Sequence, residues 1–159
     1  MDKLAIVYVD DQREVLSTLS SDLEIFSEYV NLEECESAVE ALEIIDEIDG
    51  EGDMLAIVIS DHIMPEMSGV EFLSKVHQDS RFPLTKKILL TGQATHEDTI
   101  EAINNAKIQR YITKPWKSEE IHEVVKKQLT HYILEKGIDY MPYMNILDKK
   151  TLFELLSKR

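Results

Sequence analysis

Three short runs rich in aliphatic residues punctuate the chain: "LAIVYV" (4–9), "MLAIVIS" (54–60) and "KKILLT" (86–91). Runs of this length without polar alternation are the pattern of strands covered on both faces. "VNLEEC" (30–35) alternates more and predicts a half-exposed strand at a sheet edge, and "QRYIT" (109–113) predicts a fifth strand. Between these segments the apolar positions change to helical spacing, first through Val15, Leu16, Leu19, Leu23 and Phe26. Ser37 with Glu40 forms a capping box ahead of "AVEALEIIDEI", which "DGEGD" terminates, and Ser68 with Glu71 opens "GVEFLSKVH". Thr95 and Asp98 cap "EDTIEAINNA"; Ser118 with Glu119 and Glu120 starts a last helix reaching Lys136, where Gly137 suits a left-handed terminus. Five strands alternating with five helices predict a parallel α/β sheet with helices on both faces.

Residues 138–159 fall outside that alternation. "IDYMPYMNIL" reads as an extended connector, and "DKKTLFELLSKR" as a short helix capped by Asp148 with Leu152, Phe153, Leu155 and Leu156 on its apolar face. So short a helix is unstable alone, so the face is expected to pack on the same chain or on a second copy. A DNA-binding domain does not fit in the residues after the last long helix, which leaves a single-domain chain with a docking segment or the front of a longer protein.

Composition narrows the classes. Residues 1–129 carry 12 Lys/Arg against 27 Asp/Glu, a net −15, whereas residues 130–159 carry 5 against 4. An acidic body repels phosphate backbones and argues against direct nucleic-acid binding. The single cysteine, Cys35, excludes an internal disulfide, fits a reducing cytoplasm and is expected as a buried, inert thiol. "MDKLAIVYVDD" is neither an export signal nor a membrane span, so no membrane insertion is expected. The five histidines have no zinc-ligand spacing.

The chemistry lies where the strands stop. The first ends in Asp10-Asp11, the third in Asp61, the fourth in Thr91 and the fifth in Lys114. Ligands of open parallel sheets bind at the carboxyl ends of strands, near the point where strand order reverses. Were strands one and three neighbours there, three carboxylates would converge, and they cannot all stay ionised cheaply without a cation. Clustered carboxylate oxygens suit Mg²⁺. With the Thr91 hydroxyl and the Lys114 ammonium they would make a site for phosphoryl transfer to a carboxylate. Simpler roles stand beside these: Asp10 and Asp11 as helix caps, Asp61 and Thr91 as turn residues, Lys114 as a solvated lysine. His62 adjoins Asp61 but, as its neighbour in an extended chain, is expected to face away.

Together, "YVDDQ", "VISDHIMPEMSG", "LLTGQA" and "YITKPW" resemble the motifs of the receiver domain of two-component response regulators, in the family's order across residues 1–130. The resemblance implies a flavodoxin-like, doubly wound sheet of order 2-1-3-4-5, with residues 131–159 as helix end, linker and C-terminal extension. It implies Asp61 as phosphoacceptor, with Asp10, Asp11, Asp61 and the backbone carbonyl of Ile63 holding Mg²⁺. Thr91 and Lys114 would bind the phosphoryl group, Lys114-Pro115 would be a cis peptide, and Thr91 and Tyr111 would be the switching pair. Plain packing is the alternative role for Tyr111. A sensor histidine kinase or phosphotransfer protein would be the donor. A homodimer would form through the face of the fourth helix, fifth strand and fifth helix, or through the C-terminal helix. Phosphoryl lifetime would depend on Ile63, which hinders an attacking water, and on Gln93. Trp116 after the proline resembles receivers joined to cyclic-dinucleotide phosphodiesterases or other signalling enzymes. Two rivals remain at this point: a Mg²⁺-dependent aspartyl-phosphate phosphohydrolase, disfavoured by Ile63 where such enzymes place a second acid, and a phosphorylation-independent interaction module.

Overall fold

β1 (Leu4–Val9) is buried at every position and lies inside a five-stranded parallel sheet of order β2-β1-β3-β4-β5. The computed structural model describes residues 3–92 and 102–158. The other strands are β2 (Val30–Cys35), β3 (Met54–Asp61), β4 (Lys86–Thr91) and β5 (Arg110–Thr113). The helices are α1 (Arg13–Leu23), α2 (Ala38–Gly50), α3 (Gly69–Gln78), a π-helical turn α4 (Ala102–Ala106), α5 (Ser118–Lys136) and α6 (Lys149–Ser157). Thr95 and Asp98, expected to cap the fourth helix, lie outside the described residues, as does Gln93. Among the described residues no helix is long and apolar enough to cross a membrane.

Strand side chains alternate between faces, and the core divides accordingly. Leu4, Ile6 and Tyr8 of β1 pack with Leu16, Leu19, Phe26, Val125 and Leu129 on the α1/α5 side. Ala5, Val7 and Val9 pack with Ala41, Ile45, Phe72 and Leu73 on the α2/α3 side. The aliphatic runs of β1, β3 and β4 thus serve two layers, whereas β2, on the edge, exposes Asn31 and Glu34. The serine half of both expected capping boxes forms: Ser37 Oγ accepts from the Glu40 N–H and Ser68 Oγ from the Glu71 N–H, each at 3.1 Å, while the Glu40 carboxylate accepts from the Glu36 N–H. Cys35 is buried, and desolvation by its apolar surroundings pushes its thiol up to about 12, leaving it inert.

Two expectations for the C-terminal segment need correcting. Met141–Ile146 is a 3₁₀ helix rather than an extended connector, because two of its apolar residues, Tyr143 and Ile146, fold inward and are buried, while Met141 stays exposed. Phe153 is 77% exposed, so the apolar face of α6 is narrower than Leu152, Phe153, Leu155 and Leu156 suggested. Leu152 points into the core at helical spacing from the half-buried Leu155 and Leu156, while residue 153 lies a third of a turn away. Gly137 (φ 78°) turns the chain at the end of α5, and the segment folds back on its own domain. There the Asn145 amide donates to the Tyr29 hydroxyl (2.9 Å) and the Asp148 N–H to Thr130 Oγ1 (2.9 Å). Asp148 caps α6 as expected, accepting from the Thr151 N–H at 3.0 Å.

Candidate functional site

The strand order decides which acids meet. The chain leaves β1 toward β2 and then crosses to β3 on the other side, so the carboxyl ends of β1 and β3 flank the reversal point. Val9 pairs with Ser60, which sets Asp10 beside Asp61. One carboxylate oxygen from each of Asp10, Asp11 and Asp61 lies within 4.8 Å of the other two. Asp10 is fully buried and Asp61 nearly so, while Asp11 faces solvent.

Lys114 reaches this cluster from the end of β5. Its Nζ lies 2.6 Å from Asp61 Oδ1 and 2.9 Å from Asp10 Oδ2. The other oxygen of Asp10 accepts the Gln12 N–H at 2.8 Å, which fixes the carboxylate at the entry to α1. The Lys114 N–H donates to the Thr91 carbonyl at 2.8 Å, tying the end of β5 to the end of β4. The Lys114–Pro115 peptide is cis. Thr91 is buried and pairs with Thr113, one residue beyond Leu90, which pairs with Asp61.

The loop after Asp61 is closed by backbone bonds. The His62 N–H donates to the Leu90 carbonyl (2.9 Å) and the Gly69 N–H to the His62 carbonyl (2.8 Å). Glu66 supplies the left-handed turn residue, with φ 71°. At Gly69 a Cβ would collide with the Asp61 carbonyl oxygen, so glycine is demanded by close approach and not by its dihedral. Met64 is buried in the α2/α3-side core and pins the loop, leaving Ile63 77% exposed beside the acids.

Electrostatics follow from one cation among three acids. Burial pushes the Asp61 carboxyl above the usual carboxylate range; the hydrogen bond from Lys114 opposes this and the charge of Asp10 adds to it. Burial pulls the Lys114 ammonium down, but its bonds to Asp61 and Asp10 outweigh that, and it is held above the ordinary lysine value. One ammonium leaves about two negative charges uncompensated. An all-oxygen donor set this compact fits a hard divalent cation such as Mg²⁺.

Asp10, Asp11, Asp61 and Lys114 are therefore brought together, with Thr91 at the adjoining strand end. Tyr111 is half-buried, pairs with Leu89 and packs against the α2/α3-side core. Desolvation raises its phenol. A cleft of about 420 Å³ opens next to Lys114, lined also by Glu14, Val15, Thr18, Pro115 and Trp116. The sequence reading passed over Asp22, a buried acid of α1 that binds the loop carrying Lys114. Its only signal is spacing, since it follows Val15 and Thr18 along one helix face.

Residues 6–126 match the family model described as the response regulator receiver domain. The chain is 30% identical over 120 residues to the chemotaxis protein CheY1 of Helicobacter pylori, covering 76% of this chain and 92% of that protein. It is 36% identical over 86 residues to the hydrogenase transcriptional regulatory protein HoxA of Bradyrhizobium diazoefficiens, covering 54% of this chain and only 17% of HoxA. Among solved structures, the signal receiver domain of an HD domain-containing protein from Pseudomonas fluorescens superposes with a TM-score of 0.71 at 30% identity, covering 82% of this chain and 97% of that one.

Proposed function

The chain belongs to the response regulator receiver domain family, and from that premise we propose that it is a phosphorylation-activated signalling switch with Asp61 as its phosphoacceptor. The observation that carries this reading is the meeting of Asp10, Asp11 and Asp61 within 4.8 Å, with the Lys114 ammonium 2.6 Å from Asp61. A sensor histidine kinase or a phosphotransfer protein would present a phosphohistidine. A carboxylate oxygen of Asp61 then bonds to phosphorus as the phosphorus–nitrogen bond breaks, and its electron pair stays on the departing imidazole, which takes up a proton from solvent. Lys114 is placed to move from Asp61 to a phosphoryl oxygen, and the Thr91 hydroxyl donates to another.

Asp10, Asp11, Asp61 and the Ile63 carbonyl would hold Mg²⁺, which supplies positive charge to the phosphoryl oxygens when bound. Drawing Thr91 inward would leave room for Tyr111 to follow, altering the face of α4, β5 and α5 for a partner or a second copy. Residues 1–130 would be the receiver domain and residues 131–159 its C-terminal extension, in a cytoplasmic protein. Ile63 stands where a phosphohydrolase would carry a second acid, which favours a long-lived acceptor over a turnover enzyme. Incubation with acetyl phosphate and Mg²⁺ should deposit one acid-stable, alkali-labile phosphate that Asp61→Ala does not acquire. Undiminished labelling of Asp61→Ala would refute the assignment.

A further inference from the structure

Lys114 is delivered by a short loop between β5 and α5, and both ends of that loop are tied down. The near end is held by the bond from the Lys114 N–H to the Thr91 carbonyl. At the far end the Trp116 indole N–H donates to Asp22 Oδ2 and the Ser118 hydroxyl donates to Asp22 Oδ1, both at 2.6 Å. His122 Nε2 lies 2.7 Å from the backbone carbonyl oxygen of the same residue. Asp22 is 8% exposed, so each carboxylate oxygen takes a charge-assisted bond in a largely dry setting.

Packing alone does not call for an acid here. Asp22 is next to Leu23 on a helix whose other inward positions are leucines, and burying a carboxylate costs free energy unless its bonds are needed. Those bonds link two parts of the phosphoryl-transfer site. α1 starts one residue after Asp10 and Asp11, past Gln12, so a helix of 11 residues runs from beside the acids to Asp22 near its other end. Through Trp116 and Ser118 that same helix holds the loop that carries the ammonium. The Trp116 indole also lines the 420 Å³ cleft beside Lys114, into which a released loop has room to move.

We propose that Asp22 is a positioning residue for phosphoryl transfer: by gripping Trp116 and Ser118 it registers the Lys114 ammonium against Asp61. This rests on the reading of Asp61 as phosphoacceptor. The carboxylate bonds of Asp22 go to Trp116 and Ser118, and Asp22 is not one of the acids of the cluster. Its loss therefore slows transfer, which is sensitive to ångström-scale placement, and does not weaken the hold of the acids on Mg²⁺.

The test measures initial rates of labelling by acetyl phosphate, and Mg²⁺ affinity by calorimetry, for the full chain. Asp22→Ala is expected to lower the maximal labelling rate roughly tenfold with Mg²⁺ affinity not lowered, and Asp22→Asn to fall between it and the wild type. Trp116→Phe removes the indole donor, and in the double variant the two losses should not add, because they break one link. A folded Asp22→Ala that labels at the wild-type rate overturns the proposal, as does a parallel fall in Mg²⁺ affinity or full additivity of the two substitutions. Should Asp22→Ala not fold, Trp116→Phe and Ser118→Ala decide the matter: slower labelling with Mg²⁺ affinity retained supports the link, and wild-type rates in both overturn it. A wild type that takes no label overturns the phosphoacceptor reading itself, and this inference with it.

Discussion

Replacing Lys114 with methionine removes the ammonium that bridges Asp10 at 2.9 Å and Asp61 at 2.6 Å, while keeping the length of the side chain. The two carboxylates have 0% and 8% side-chain exposure, and the lysine 18%, so the pair is buried rather than solvent-screened. Removing one partner of a buried pair costs about 3–5 kcal/mol, and the residual exposure of Lys114 argues for about 3. The lysine is held above its ordinary value. Its contribution is therefore complete below the unfolded-state pKa, near 10.4, and is lost as pH rises through the folded-state value; at pH 7 all of it is at stake. The acids left behind can relieve part of the loss by protonating Asp61, whose carboxyl is already raised by burial, so the penalty shrinks on acidification. Mg²⁺ discriminates this account from simple loss of packing. In the wild type the cation competes with an ammonium already seated between the acids; in Lys114→Met it meets uncompensated charge. A ligand at a hundred times its dissociation constant stabilises by about 2.7 kcal/mol, so tighter binding to the variant should narrow the gap by about 1 kcal/mol or more. Urea unfolding at pH 7, with EDTA and across a Mg²⁺ series, reads this directly. A gap of the same size at every Mg²⁺ concentration would mean that lysine and metal do not address the same acids.

Lys87 is 4% exposed, donates to the Thr85 carbonyl at 3.2 Å, and is lowered to about 8 by desolvation, with the charge of Lys86 adding to it. A lysine depressed on folding makes the unfolded state bind more protons between about 8 and 10.4, so stability should rise with pH across that window, by at most about 1.4 kcal/mol per unit. Lys87→Met should remove that slope and stabilise the protein at pH 7 by up to about 3 kcal/mol, less the hydrogen bond to Thr85 that it forfeits; equal slopes in urea melts from pH 7 to 10 would disprove it. Tyr143 is fully buried between the domain and its C-terminal segment, so Tyr143→Ala should cost about 3 kcal/mol, and a calorimetric melting temperature unchanged from wild type would show the segment to be dispensable. Ile63, exposed beside Asp61, shields the acyl phosphate from water on the proposed reading. Ile63→Asn should then shorten its lifetime severalfold in a chase after acetyl phosphate is removed, and an unaltered decay rate would count against the shielding role.

The order of elements was legible because burial on two faces leaves unbroken aliphatic runs, and burial on one leaves periodic ones; β1, β3 and the capped starts of α2 and α3 follow those patterns. The acids at strand ends were equally visible, since a charge closing an apolar run marks where the chain leaves the core. Less visible was whatever depended on partners distant in sequence. "IDYMPYMNIL" contains a proline and reads as a connector, yet Tyr143 is buried in the same core cluster as Leu4 and Phe26, more than a hundred residues away. Ser118 reads as part of a helix start, but its hydroxyl is taken by Asp22, 96 residues away, and the helix begins after Lys117 without a side-chain cap.

From its residues alone the chain determined the alternation of strands and helices, the acidic body and the set of groups offered at the strand ends, because periodicity and local hydrogen bonding act over a few neighbours. Strand order was implied in the sequence through the family resemblance alone; the folded chain fixed which oxygens the ammonium takes, Asp10 Oδ2 and Asp61 Oδ1, and that Asp22 holds the loop bringing it there. Those outcomes depend on strand order and on contacts across about a hundred residues, where geometry after folding, not propensity, sets which charges meet.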